Sequence, residues 1–146
     1  MTPVLAIEDL HVWFELPENK ELHAVQGISF ELEPGERLGL VGESGCGKTI
    51  TGLAILGLLQ RPQAEITSGT IAYRGNDLLI KSDAQMQKLR GRDISMVFQD
   101  PLASLNPVFA VGKQIEDVVR LHKGISRREA RGVTFEALAS VGLPAD

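Results

Sequence analysis

The chain carries the stretch Gly42-Glu43-Ser44-Gly45-Cys46-Gly47-Lys48-Thr49. It fits the pattern G-x-x-x-x-G-K-[ST], in which backbone N–H groups and one lysine surround a row of phosphates. Glycine at positions 42 and 47 allows backbone angles and a closeness of approach that a Cβ would forbid. A glycine-rich turn before a helix is the alternative, but such a turn has no use for Lys-Thr at its end. The stretch therefore predicts a phosphate loop, the name used below for residues 42–49.

The residues on either side of the phosphate loop predict a strand before it and a helix after it. Residues 37–41 form a short apolar run after the turn-forming Pro34-Gly35-Glu36, which predicts a buried strand of a parallel sheet. Residues 50–59 carry no charge and are apolar all round, which predicts a buried helix. This order of elements indicates an α/β fold of the P-loop NTPase class.

We assign all eight residues of the phosphate loop to nucleotide binding, with ATP and Mg²⁺ as the expected ligands. The amides of residues 45–49 would converge on the β-phosphate, where the helix dipole adds a favourable potential. Lys48 would reach the β- and γ-phosphates, and the Thr49 hydroxyl would complete an octahedral Mg²⁺ shell. Cys46 is the only cysteine, so no intrachain disulfide is possible. It is either a small residue that the loop tolerates or a reactive thiol beside Lys48.

Composition limits the classes of partner. A net charge of -4 and 5% aromatic residues offer neither a basic stripe nor a stacking platform, so we expect no nucleic acid. The longest uncharged stretch, residues 49–60, is shorter than the roughly 20 residues that span a bilayer. Residues 1–10 hold two acidic and no basic side chains, unlike a secretory signal. We expect a soluble cytoplasmic protein, and docking to a membrane protein stays open. The three histidines show no ligand spacing.

Periodicity predicts the remaining elements. An antiparallel edge sheet is expected from strands at 4–14, 28–32 and 66–77, with a polar loop at 15–21. A second buried strand is expected at 94–98. Beyond Pro101 the period becomes helical, which places a subdomain boundary near residues 100–106. Two capping boxes are predicted to open helices, namely Ser82 with Gln85 and Ser126 with Glu129. Arg127, Arg128 and Arg131 resemble a phosphate patch, although a solvated helix face is the more ordinary reading.

Two side chains at the end of the 94–98 segment compete for a role at Mg²⁺. Asp100 could be the magnesium carboxylate of a small kinase or GTPase-like enzyme. Alternatively, Gln99 could place a neutral amide against Mg²⁺ and the attacking water. The flanking residues Val97-Phe98-Gln99-Asp100-Pro101, taken with the phosphate loop, resemble the ATP-binding subunits of ABC transporters, whose Q-loop begins at this glutamine. Residues 99–107 are similar to the importers for dipeptides, oligopeptides, glutathione and nickel.

The resemblance implies a fold and a set of functional residues. It implies a nucleotide-binding core at 1–100 with a β edge sheet, and the beginning of a helical subdomain at 101–146. Lys48 and Gln99 take catalytic roles, Thr49 and Gln99 contact Mg²⁺, and Phe14 stacks on the adenine. Phe14 and Trp13 could instead be ordinary edge-strand aromatics packing on opposite faces.

The resemblance also implies partners and a location. The partners are membrane-spanning permease subunits, a second ATP-binding subunit and, indirectly, a solute-binding protein, at the cytoplasmic face of the bacterial inner membrane. The family's signature loop, its strand of four apolar residues ending in Asp-Glu and its switch histidine are not found by residue 146. We therefore expect the N-terminal part of a longer subunit, with weak nucleotide binding and no appreciable turnover alone. A non-enzymatic nucleotide-binding fragment is a further alternative.

Overall fold

A computed structural model describes residues 2–144, apart from the side chains of Asn19 and Ala103. The chain divides into two compact units, and the boundary along the sequence lies between Gln87 and Lys88. The first unit contains a four-stranded antiparallel sheet in the order β2-β1-β3-β4. Its strands are β1 (Leu5–Leu16), β2 (Lys20–Leu32), β3 (Ala64–Tyr73) and β4 (Asn76–Asp77). The helices are α1 (Lys48–Ile55), α2 (Asp83–Leu89), α3 (Val111–Lys123) and α4 (Arg127–Ser140), and 3-10 turns lie at Pro17–Asn19 and Leu102–Ser104.

The core of the first unit lies on one face of this sheet. Ile7, Leu10 and Val12 of β1 are buried there with apolar residues of the two neighbouring strands. Buried and exposed side chains do not alternate strictly along β1. Its pairing with β2 shifts register after residue 7, and its pairing with β3 shifts after residue 8. Gly69, with a φ of 96°, makes the shift possible, because a Cβ there would collide with the backbone of residues 8–10.

The predicted antiparallel strands are confirmed, but the polar loop is shorter than expected. β1 runs to Leu16 and β2 starts at Lys20, so only Pro17–Asn19 separates them. The ladder continues to the Leu16–Lys20 pair. Glu15, Lys20 and Glu21, which the sequence placed in the loop, are therefore strand residues. The hydrogen bonds of a ladder join backbone groups, so they do not require apolar side chains.

The two predicted buried parallel strands are wrong. Residues 37–41 contain no strand, and Val41 is 93% exposed. Residues 95–98 are likewise irregular, and residue 94 makes only one isolated bridge, to Arg90. A strand needs a neighbour to pair its N–H and C=O groups. Within residues 2–144 neither segment has a neighbour that provides a ladder.

The helix after the phosphate loop is also shorter and less buried than predicted. It ends at Ile55 and not near residue 59, with Leu56 as its C-cap and Gly57 in the left-handed region. Thr51 and Ala54 are buried, whereas Leu58 is 41% exposed. Gly57 ends the helix, because glycine adopts positive φ without steric cost.

Both capping boxes are confirmed. The Ser82 N–H donates to Gln85 Oε1 at 2.9 Å, and the Gln85 N–H donates to Ser82 Oγ at 3.4 Å. In α4 the Ser126 N–H donates to Glu129 Oε2 at 2.9 Å, and the Glu129 N–H donates to Ser126 Oγ at 3.3 Å. The hydrogen bonds from Ser126 hold the pKa of Glu129 below its ordinary value.

Candidate functional site

The phosphate loop joins an irregular segment to the start of α1. Gly47 is the N-cap of α1, with φ 90° and ψ 0°, and no side chain caps this end of the helix. The first N–H groups of a helix have no intrahelical partner. Those of α1 are therefore placed to receive an anion, and the helix dipole favours negative charge at the same point.

Gly47 fixes the loop against the edge strand β2. A Cβ on Gly47 would collide with the carbonyl oxygen of Ala24 and would lie 3.1 Å from Val25 Cγ2. Gly47 is also buried, unlike the other glycines of the loop. Thr51 of α1 is buried, and its hydroxyl donates to the Gly47 oxygen at 3.0 Å. This hydrogen bond connects the loop to the first turn of α1.

Lys48 reaches back across the phosphate loop. Its Nζ donates to the carbonyl oxygens of Gly42 at 2.8 Å and Glu43 at 2.6 Å, and to Cys46 Sγ at 3.3 Å. A Cβ on Gly42 would collide with the same sulfur atom. The ammonium group thus lies at the centre of the loop, within reach of whatever the surrounding amides bind.

The remaining loop residues are open to solvent. Glu43, Ser44, Cys46 and Thr49 are exposed, and a bond of 3.3 Å from the Cys46 N–H to the Glu43 oxygen closes the turn. The Thr49 hydroxyl is a hard oxygen donor of the kind that Mg²⁺ prefers. An uncapped helix start, a lysine and a hydroxyl together fit a Mg-nucleotide. Among the described residues no group of three or more His, Cys, Asp or Glu could hold a metal ion.

A cleft of about 400 Å³ adjoins the loop. Residues 23–26 and Ile28 of β2 form one wall, and Gly45, Cys46 and Lys48 lie on the other. This volume is in the range of small-ligand pockets. Sequence reasoning missed the β2 wall and Thr51. The four-residue spacing between Gly47 and Thr51 was the available signal for the hydroxyl contact, since it matches one helical turn.

Phe14 and Trp13 lie on opposite faces of β1. Phe14 is half-buried and follows Val12 by two residues, so the two share a face. The cross-strand partner of Val12 is Val25, which lines the cleft. Trp13 pairs with His23, which also lines the cleft, and their ring centroids are 3.0 Å apart with a 47° tilt. Both aromatics also border a second cavity, of about 240 Å³.

Gln99 and Asp100 belong to the second unit, whereas the phosphate loop belongs to the first. They form a bend in which Asp100 Oδ1 accepts a hydrogen bond of 3.2 Å from the Leu102 N–H. This contact gives Asp100 a turn-forming role. The roles of Gln99 and Asp100 at Mg²⁺ stay predictions, as does the role of Phe14.

Comparison with known proteins agrees with this geometry. The family model described as ABC transporter matches residues 25–144. The dipeptide transport ATP-binding protein DppD of Bacillus subtilis (strain 168) is 43% identical over 144 residues, which are 99% of this chain and 43% of DppD. The oligopeptide transport ATP-binding protein OppD of the same strain is 42% identical over 144 residues, which are 99% of this chain and 40% of OppD. The chain thus spans about two fifths of the length of these relatives.

Solved structures show the same fold. A dimeric structure of the ATP-binding cassette MJ0796, in a post-hydrolysis state bound to ADP and Pi, matches with a TM-score of 0.75 at 19% identity. The match covers 92% of this chain and 56% of that one. The fold is therefore that of a P-loop ATPase cassette, with the antiparallel sheet and the first helices in place. Within the described residues no helix is long and apolar enough to cross a membrane. The chain belongs to the ABC transporter family.

Proposed function

We propose that the phosphate loop binds Mg-ATP and that the chain serves as the nucleotide-binding part of an importer for peptides or a related small solute. The uncapped start of α1, with Lys48 reaching across the loop to the carbonyl oxygens of Gly42 and Glu43, carries this proposal. Main-chain amides and one ammonium group then converge on one point. That arrangement recognises phosphate charge without reading the rest of the ligand.

The residues of the loop have separate roles in binding the nucleotide. The amides of residues 45–49 donate to the phosphates, and Lys48 exchanges its carbonyl partners for phosphate oxygens. Thr49 offers its hydroxyl to Mg²⁺, which neutralises charge between the β- and γ-phosphates when bound. Gly47 keeps this assembly seated against β2.

Two residues outside the loop are assigned roles in the complete subunit. Phe14 shares its sheet face with Val12, and this placement supports stacking on the adenine. We assign to Gln99 the contact with Mg²⁺ and the attacking water, because the segment around it resembles the Q-loop. Hydrolysis belongs to the complete subunit, in which charge on the transferring phosphoryl group must be offset.

The partners follow from the relatives. DppD and OppD are named as transport ATP-binding proteins, and the similar cassette structures are dimers. We propose membrane-spanning permease subunits and a second ATP-binding subunit as direct partners, and a solute-binding protein as an indirect one. The chain would then work at the cytoplasmic face of the bacterial inner membrane.

Titration with a fluorescent ATP analogue in the presence of Mg²⁺ tests the proposal. Lys48→Ala should weaken binding by at least about 30-fold, because charge-assisted hydrogen bonds contribute roughly 2 kcal/mol. Lys81→Ala, the matched control in the same unit, should leave the affinity unchanged. Equal affinities of the Lys48→Ala variant and the unmodified chain would refute the assignment.

The same titration separates the kinase or GTPase-like alternative. If Asp100 held the magnesium, Asp100→Ala would remove the Mg²⁺ dependence of binding. Under the proposed function Asp100→Ala keeps that dependence, because the aspartate holds the turn at Leu102.

A further inference from the structure

Charge is distributed unevenly along the chain. Residues 1–87 hold twelve acidic and six basic side chains, whereas residues 120–131 hold one acidic and five basic ones. The five form what we call the basic tip, namely Arg120, Lys123, Arg127, Arg128 and Arg131. A protein with a net charge of -4 therefore carries a concentrated positive region at residues 120–131, and the proposed nucleotide site does not use it.

The basic tip lies at the turn between α3 and α4. α3 ends at Lys123, Gly124 caps it with a φ of 63°, and α4 starts at Arg127. Residues of both helices lie close to the same carboxylate. A hydrogen bond from Lys113 is the main cause of the lowered pKa of Asp117, and the charges of Arg120 and Arg127 lower it further. The two helix ends thus present one shared positive surface.

Most of this charge is uncompensated. Arg127 Nε lies 3.9 Å from Glu116 Oε2, and the Arg131 guanidinium lies 5.0 Å over the ring of Phe135. Glu129 is bound to Ser126, and Asp117 pairs with Lys113. Arg120, Lys123 and Arg128 form no ion pair within residues 2–144. All five basic side chains belong to exposed residues.

The position of two of these arginines works against helix stability. Arg127 and Arg128 occupy the first turn of α4, where the helix dipole is positive and acidic side chains are favoured. The buried Glu116 accounts for Arg127, whereas no ion pair within residues 2–144 accounts for Arg128. An anionic partner does, because the dipole and the side chains then act together on it.

An exposed apolar side chain accompanies the charges. Leu121 lies between Arg120 and Lys123 in the sequence and is 75% exposed. Long cationic side chains around a helix turn, with one leucine among them, match the surface of an anionic bilayer. Such a surface is deformable, offers many phosphates at once, and accepts an apolar side chain among its acyl chains.

We propose that the basic tip contacts anionic phospholipid headgroups beside the permease. This inference rests on the proposed function only for bringing the chain to a membrane. It adds a second attachment, made by lipid and not by protein. An acidic protein segment is the competing partner, and the experiment distinguishes the two.

The test is sedimentation of the full chain with vesicles that contain phosphatidylcholine alone or phosphatidylcholine with about 30% phosphatidylglycerol. We expect binding only to the anionic vesicles, and its loss when salt rises to about 0.5 M, where screening acts within a few ångströms. The combined variant Arg120→Gln, Lys123→Gln, Arg128→Gln should bind roughly 100-fold more weakly, from about 1 kcal/mol for each basic residue near the surface. Arg127 is left intact because it faces the buried Glu116.

Two further variants complete the design. Lys20→Gln, Arg61→Gln, Lys81→Gln removes the same charge from the first unit and should keep vesicle binding. Leu121→Ser should weaken it a few-fold without altering the circular dichroism spectrum. Equal binding to both kinds of vesicle, or an unchanged affinity of the tip variant, would overturn the proposal.

The remaining outcomes are equally distinct. If the tip variant lost permease association while the unmodified chain ignored anionic vesicles, the partner would be a protein and the lipid proposal would fall. Mg-ATP binding is measured in the same preparations. Nucleotide binding without vesicle binding would sink only this inference, whereas absence of nucleotide binding would sink the proposed function instead.

Discussion

Replacement of Gly47 by alanine tests how the phosphate loop is built. Two costs arise in the structure. The φ of 90° costs an L-residue about 1–2 kcal/mol. In addition, the new Cβ collides with the Ala24 carbonyl oxygen, a backbone atom that cannot swing away. Overpacking of this kind costs about 1–3 kcal/mol. The expected loss of unfolding free energy is therefore about 2–5 kcal/mol.

Gly47→Ala should also weaken nucleotide binding. If the loop moves away from β2 to relieve the collision, its amides and Lys48 no longer converge. We expect an affinity for Mg-ATP at least about 10-fold weaker, which corresponds to about 1.4 kcal/mol. Urea unfolding measures the stability, and titration with the fluorescent ATP analogue measures the affinity.

Gly35→Ala is the matched control. Gly35 has a φ of 80°, and a Cβ added there would meet no atom within 4 Å, so only the backbone cost applies. The variant should lose about 1–2 kcal/mol of stability and keep its nucleotide affinity. Gly45→Ala, with a φ of 84° and the same open surroundings, separates strain inside the loop from collision. If Gly47→Ala matched Gly35→Ala in both measurements, contact with β2 would not shape the loop.

Three other predictions concern separate parts of the chain. Bound Mg-ATP should slow alkylation of Cys46, which is exposed and lies 3.3 Å from Lys48 Nζ, and equal labelling rates with and without nucleotide would contradict this. Thr134→Val should raise the unfolding free energy by about 1 kcal/mol, because the fully buried Thr134 Oγ1 has no hydrogen-bond partner among the described residues, whereas the exposed-site control Thr67→Val should not. The Glu129 contribution to stability should be complete above its ordinary pKa of 4.5 and should vanish as pH falls through the lowered folded-state pKa. Chemical unfolding of Ser126→Ala between about pH 2 and 7 checks this, since the variant loses the hydroxyl hydrogen bond, keeps the one from the backbone N–H, and should therefore show a smaller pH-dependent step.

The features that the sequence predicts correctly depend on residues close together in the chain. The phosphate loop and the capping boxes depend on residues three to seven positions apart, so their geometry follows from the residues themselves. The helical arm after Pro101 was recognised from its period, and α3 and α4 both form there. The family was recognised from short motifs, and the comparisons confirm it.

The errors lie where structure depends on distant partners. Residues 37–41 and 94–98 have the composition of buried strands, but a strand exists only through its neighbour. The β2 wall of the cleft could not be predicted either. Its position relative to Gly47 depends on a tertiary contact with Ala24, and the sequence around Ala24 contains no motif. Gln99 belongs to the second unit and the phosphate loop to the first, so the proposed role of Gln99 rests on its resemblance to the Q-loop.

Between Val12 and Trp13 the pairing with β2 skips Ala24, because one extra residue bulges out of that strand. Consecutive side chains of β1 point to opposite faces, so position along the strand, and not ring chemistry, decides which aromatic shares a face with Val12. The double exchange Trp13→Phe, Phe14→Trp would put an indole in the place of the phenyl group and leave the architecture intact. A single residue inserted before Trp13 would reverse the two sides altogether.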